Sequence, residues 1–425
     1  MNNALFDYIA ASPTAYHAVN HTAAMLTEVG YTYLSEGENW RLEPGKGYYV
    51  TRNGSSLIAF RVPKREWLGF MMTASHCDSP CFKIKENGEL ADEHYVRLST
   101  EKYGGMLCAS WMDRPLSIAG RATVRTETGI DVRLVDLHEP CAVIPNVAIH
   151  MNRAANDGMK YDPAVDMLPL YADGAGKGTL RARVAACADA GERDILTSDL
   201  FVYNCQRGQE WDRFISAPRL DDLQCAFSAL TAFLAAGESG SVPVYCLFDN
   251  EEVGSQTKQG AASTFLFDVL SRVSGSDGVA YHRHVANSFL VSCDNAHAVH
   301  PNHPEYRDRN HSVYMNGGIV IKYNANQKYT SDAVSAAIFT LVCEKAGVPI
   351  QRYANRADMA GGSTLGNIAN TQVSLNTIDI GLPQLAMHSA FETAGADDTE
   401  YMVRVLTTFY GMSLHMESDG SYRLA

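Results

Sequence analysis

The chain has 425 residues, 46% hydrophobic and 20% charged, a size that calls for two domains or one large domain carrying an insertion. Its formal net charge of −13 excludes general nucleic-acid or anionic-membrane binding, which needs clustered Lys and Arg. No run reaches the ~18 apolar residues of a membrane span, the N-terminus lacks a basic flank and long apolar stretch, and the ten cysteines include no CxxC pair, so a cytoplasmic location is expected.

In chain order, residues 5–29 read as an amphipathic helix pair broken at Ser12-Pro13, and YYVTRNGSSLIAFRV as a hairpin turning at Asn53-Gly54. WLGFMMTASHCDSP follows as an apolar strand that ends in polar residues at a proline. Between about 89 and 207 the composition changes: short β-like runs such as ATVRTE and DVRLVDL are separated by glycine-rich polar stretches such as YADGAGKG. This predicts a β-rich domain, 89–207, inserted into a discontinuous main domain, 1–88 and 208–425. From 219 onward strands (VPVYCLF, SFLVSCD) alternate with helices (DDLQCAFSALTAFLAA, FLFDVLSRV, SDAVSAAIFTLVCEKAG). That alternation predicts an α/β fold with a central mixed, largely parallel sheet flanked by helices, and ligands beyond the carboxyl ends of its strands.

Several strands end alike. GFMMTAS delivers His76 and Asp78, VPVYCLF delivers Glu251 and Glu252, FLVSC delivers Asp294, GLPQLAM delivers His388, and APRL delivers Asp221 and Asp222 at the mouth of a helix. So many carboxylates on one sheet edge repel one another unless a cation lies between them. Two nitrogen donors with three or more oxygen donors suit Zn²⁺, with Co²⁺ or Mn²⁺ as substitutes. Two ions ~3.5–4 Å apart sharing one carboxylate would use every group. One of the paired glutamates can then bind metal while the other reaches a metal-bound water, and Asp78 can fix the His76 ring through its second nitrogen. Asp222 reads as a carboxylate favoured by the helix dipole. Pro301 and Pro304 break the helix that would align His297, His300 and His303, so no third metal site is expected there.

SHCDSP, SAPRLDDL, DNEEVGS, SCDNAHAVHPN, IKYNANQKY and PQLAMHS occur in the order and approximate spacing of the aspartyl aminopeptidase family of dinuclear zinc metallopeptidases, which this chain closely resembles along its whole length. The resemblance implies that Asp221 bridges two ions, that His76 and Asp294 complete one site and Glu252 and His388 the other, and that Glu251 is the general base. It implies that Lys322 meets an acidic substrate side chain, that His297 lies near bound substrate, and that His150 reaches a neighbouring subunit's active site. Gly362 and Ser363, in GGSTLGN, would contact the substrate carbonyl. That stretch departs from the family's usual glycine-threonine-threonine sequence, and Asp222 stands where many members have asparagine. The inserted domain would pair subunits in a homo-oligomer, a tetrahedral dodecamer in the family.

The function expected is removal of the N-terminal residue, Asp or Glu, from peptides through a water bridging two zinc ions. The alternatives are a broad-specificity aminopeptidase or deacylase of the same structural clan, or a catalytically silent assembly protein.

Overall fold

Apolar strands alternate with amphipathic helices in both end regions of the chain, and the computed structural model, which describes residues 1–275 and 278–425, layers them as helices on both faces of a sheet. The sheet has nine strands. From edge to edge they are Thr32–Tyr33, Gly47–Arg52, Ser56–Arg61, Val242–Phe248, Phe70–His76, Phe289–Cys293, Asn376–Gly381, Ile319–Tyr323 and Ile350–Ala354. The central pairings around Phe70–His76 are all parallel, antiparallel ones flank them, and the outermost pairing on each side is parallel again, so the expected mixed, largely parallel sheet is present.

Successive side chains leave a strand on opposite faces, which gives the sheet two cores. Phe70, Met72 and Ala74 pack on one side with the helix Phe265–Val273. Met71, Tyr245, Leu247 and Val291 pack on the other with the helices Asn2–Ala10, Leu220–Ala235 and Asp398–Tyr410. The first hairpin turns over three residues, 53–55, with Asn53 (φ 59°) and Gly54 (φ 65°) both left-handed at the centre of a β-turn closed by Ser55 N–H on Arg52 O. The helix Ala333–Ala346 begins at an Asp332 capping box and stops at left-handed Gly347.

Register decides where the charged residues emerge. Phe248 pairs with His76, and Ser292 pairs with Ala74, so the segments that follow these strands leave the same edge of the sheet at nearly the same height.

Between His76 and the helix Leu220–Ala235 the chain builds a second sheet of six antiparallel strands, with Ile130–Asp136 and Leu170–Asp173 at its edges. Its core, around Phe82, Trp111, Leu116, Ile118 and Val202, is separate from the other two. Its first strand, Cys81–Ala91, straddles residue 89, so the chain leaves the nine-stranded sheet at Cys77–Pro80.

GLPQLAM does not end a strand of the large sheet. That place belongs to Asn376–Gly381, whose last residue runs so close to the backbone of Asp294 that an added Cβ would lie 2.0 Å from the Asp294 oxygen. Pro383, without an N–H, cannot extend a central strand. Instead Pro383–Leu385 joins a separate five-stranded sheet with Ala296–His297, Glu392–Gly395, Phe214–Ala217 and Gln209–Trp211. No helix among the described residues is long and apolar enough to cross a membrane.

Candidate metal centre and substrate pocket

His76 closes its strand, and the loop beyond it carries Asp78. Left-handed Asn250 (φ 64°) turns the chain out of the strand Val242–Phe248, so that Glu251 and Glu252 form one tight turn at the sheet edge. Asp221 and Asp222 open the helix Leu220–Ala235 with non-helical backbone, and the peptide between them is cis. His388, at φ 66°, lies on the bend that follows Pro383–Leu385.

These separate segments meet at Asp221. One of its oxygens, Oδ1, is 3.4 Å from His76 Nε2, and the other, Oδ2, is 3.4 Å from His388 Nε2. Glu252 Oε2 is 3.3 Å from the same His388 nitrogen. Two triads of donor atoms result, His76–Asp221–Asp294 and Asp221–Glu252–His388, each with its atoms within 4.8 Å of one another.

Both rings give their Nδ1 proton to a backbone carbonyl, His76 to Asp78 O at 3.0 Å and His388 to Gly105 O at 2.6 Å. In the neutral ring Nε2 is then a lone pair facing a carboxylate oxygen, an arrangement that needs a cation between them. Two ligands of one tetrahedral ion, each ~2.1 Å from it, stand ~3.4 Å apart. The separations at Asp221 and Glu252 match that spacing. Asp221 Oδ1 and Glu252 Oε1 are buried and have no hydrogen-bond partner among the described residues. A divalent ion of zinc type fits this donor set.

The backbones of these residues are themselves held by carboxylates. Asp78 takes the N–H groups of Glu251 and Glu252, both at 3.1 Å, and the hydroxyl of Tyr103 at 2.7 Å. Its carboxylate also lies 3.3 Å from His76 Nδ1, so it fixes the ring alongside its own carbonyl. Asp222, expected as a carboxylate favoured by the helix dipole, is fully buried and precedes the helical backbone, and it accepts His76 N–H at 3.1 Å. Glu392 accepts the N–H groups of Asp221 and His388.

Tyr103, Gly105 and Glu392 were not legible as site residues. Tyr103 and Gly105 come from the second sheet and its exit loop, and Glu392 is a lone acid in the apolar stretch AFETAGA.

Charge is distributed unevenly. Burial pushes Glu251 up to about 8, against the charge of His76 and with that of Asp294, and pushes Asp294 up to about 6, against that of Lys322. Burial and the Asp221 charge raise Glu252 as well. Burial opposes a charged His388, but its contacts with Asp221 outweigh it and raise its pKa to about 9. Burial likewise works against ionised Asp221, yet His388 and His76 hold its carboxyl below the usual range. Asp221 is thus the carboxylate that stays ionised, set between two imidazoles and among carboxyl groups that resist ionisation, which makes it the place where a cation is best received.

A pocket of about 290 Å³ opens beside this centre, lined by Glu251, Asp294, His297, Lys322, Gly362, Ser363 and His388, together with Tyr329 and Tyr353. Lys322 is 2% exposed; its Nζ donates to Asp294 O at 2.9 Å and Asn295 O at 3.3 Å and lies over the Tyr329 ring. Burial opposes its charge, but Asp294 prevails and raises its pKa. His297 is open to the pocket's solvent, and the surrounding protein and the Lys322 charge lower its pKa. Buried Asp379 pins the pocket's loops, accepting the Thr364 hydroxyl at 2.6 Å and the Thr330 hydroxyl at 2.8 Å. His150 is not brought to this pocket: it lies on an exposed turn beside Ile149 and Met151.

Residues 8–410 match the family model of the aminopeptidase I zinc metalloproteases (M18). A "Probable M18 family aminopeptidase 2" of Clostridium novyi is 42% identical, with 96% of this chain and 98% of that protein covered. Among solved structures, the chain is similar to one from the complex of Ape4 and Nbr1 (TM-score 0.91, 33% identity, 96% of this chain and 84% of that one). It is also similar to the mApe1 dodecamer of S. cerevisiae (TM-score 0.84, 29% identity, 96% and 95%).

Proposed function

Because the chain belongs to the M18 family of zinc aminopeptidases, we propose that it removes N-terminal Asp or Glu from peptides, using two divalent ions held by His76, Asp221, Glu252, Asp294 and His388. The observation that supports this best is Asp221, whose two oxygens face different imidazoles at the same 3.4 Å, the posture of a carboxylate shared between two ions. Zinc is the ion the donor set favours, with Co²⁺ or Mn²⁺ as substitutes. When bound, the ions supply Lewis acidity to the scissile carbonyl and acidify the attacking water.

Glu251 takes a proton from that water and returns it to the leaving amine nitrogen. It lines the pocket, and its N–H is anchored on Asp78, so the carboxylate is aimed by a group that does not itself react. Lys322 selects the substrate. Two backbone carbonyls occupy two of its three N–H donors, which leaves one for an acidic side chain in the pocket. His297 meets the substrate at the rim, and Gly362 and Ser363 approach its carbonyl.

His150, exposed on the second sheet's long loop, serves a neighbouring subunit's pocket, and the 89–207 segment pairs the subunits of a cytoplasmic homo-oligomer. The dodecamer formed by the S. cerevisiae relative supports a closed assembly of the same kind, one that admits short peptides.

Glu251→Gln tests the chemistry: metal content stays at the wild-type level while kcat falls about 10²–10⁴-fold, the usual worth of a general base. Near-normal turnover would remove Glu251 from that role. A panel of aminoacyl substrates in which Asp and Glu are not preferred would remove the specificity.

A further inference from the structure

Like Asp78 and Asp222, Glu392 is a buried carboxylate at the centre that neither lines the substrate pocket nor belongs to the proposed ligand set, but it alone of the three holds the backbones of two proposed ligands. Glu392 is 2% exposed. Its Oε2 accepts Asp221 N–H at 3.0 Å, and its Oε1 accepts His388 N–H at 2.8 Å. The ladder puts it there. Glu392 pairs with Ala217, the last strand residue before the segment that carries Asp221, and it follows His388 by four positions.

We infer that Glu392 is a positioning residue, a clasp that binds the backbones of Asp221 and His388 together and thereby fixes the separation of their metal-binding atoms. The inference rests on the reading of Asp221 and His388 as ligands. A carboxylate suits the task because it is acceptor-only on both oxygens and can take two N–H groups at once. Glutamine in the same place offers one oxygen and turns an NH₂ towards the other N–H. One half of the clasp is then lost, and Asp221 Oδ2 and His388 Nε2, now 3.4 Å apart, are no longer tied through a common partner. Outer-shell contacts of this kind are typically worth about 10–100-fold in metal affinity.

The test is a zinc titration of the whole protein against a competing chelator dye. In Glu392→Gln one of the two zinc equivalents should be held about 10–100-fold more weakly. Turnover should fall at limiting zinc and recover as free zinc is raised, with KM for the peptide unchanged. Asp221→Asn and Thr393→Ala serve as references. Thr393 is the next residue of the same strand and bonds Ser216 instead, so its variant should titrate like wild type. Wild-type affinity for both equivalents in Glu392→Gln, when Asp221→Asn has lost zinc, overturns the clasp alone. Equal weakening in Thr393→Ala also overturns it, because the effect is then general damage to the strand. Retention of both equivalents in Asp221→Asn overturns the ligand reading beneath it. Should Glu392→Gln fail to fold, Glu392→Asp, charged but one methylene shorter, is titrated in its place: weakened binding of one equivalent supports the clasp, and wild-type affinity for both overturns it.

Discussion

Removing the Tyr103 hydroxyl probes the centre from outside its own sheet. In Tyr103→Phe the ring stays and one oxygen goes, taking with it the 2.7 Å bond to Asp78 Oδ2 and the acceptor of Asn250 Nδ2 at 2.9 Å. A hydrogen bond to a charged group contributes about 1.5–3 kcal/mol. Asp78, 5% exposed, still keeps the N–H groups of Glu251 and Glu252, and Asn250 is exposed enough to find water, so the expected loss lies at the lower end. About 1.4 kcal/mol is a tenfold fall in kcat/KM if it is expressed in the transition state. The assay is kcat/KM on an N-terminal Asp peptide at saturating zinc, with circular dichroism to confirm the fold. A folded Tyr103→Phe within twofold of wild type would refute the reasoning that Asp78 aims His76 and Glu251 with the help of the second sheet.

Lys322→Met should lower kcat/KM on acidic N-terminal residues by about 10²-fold or more, and on neutral ones only severalfold; an equal loss on both removes its part in selection. Glu251 (about 8), Asp294 (about 6) and His388 (about 9) all have folded pKa values above their unfolded ones. Metal-free protein binds more protons folded than unfolded at these groups, so their contribution is lost as pH rises through those values, against an opposite and more acidic contribution from Asp221. Thermal scans of the metal-free protein should therefore give a lower Tm at pH 8.5 than at pH 5.5, and two equivalents of zinc should reduce the difference; a Tm that rises over this range contradicts the charge distribution. Gly381→Ala places a methyl 2.0 Å from Asp294 O and 3.0 Å from the Asn295 carbonyl carbon. It should cost about 3 kcal/mol, visible as a lowered melting transition with loss of zinc, whereas an unchanged transition would show that this close approach does not matter.

What could be read without coordinates follows from how local each signal is. The runs FMMTASH, VPVYCLF and FLVSC announce buried strands by apolar continuity and announce a site by ending in acids or imidazole, so His76, Glu251, Glu252 and Asp294 were legible together. His388 was legible mainly through family resemblance. Its local strand belongs to a different, five-stranded sheet, and its placement depends on a left-handed bend that no apolar pattern encodes. The helix after Arg219 was found, but Asp222 was read as a carboxylate favoured by the helix dipole, whereas the helical backbone begins only after it and tertiary packing buries it against the His76 N–H. Tyr103 and Gly105 reach partners too far away along the chain for any short motif to span, as does Glu392 in holding Asp221, and Gly105 and Glu392 make their contacts through backbone groups, for which residue identity gives little clue.

The carbonyl of Gly105 that receives the His388 proton has a consequence for anyone hoping to shrink this enzyme. The loop carrying it is entered from the second sheet, at the end of the strand Tyr95–Tyr103, and Leu107 N–H returns the grip on the His388 oxygen at 3.0 Å. Splicing out the intervening stretch would spare every proposed metal-binding side chain and still leave one imidazole unsteered, free to pick the wrong tautomer or swing away. A minimised enzyme therefore has to keep this loop, or supply another carbonyl in its place.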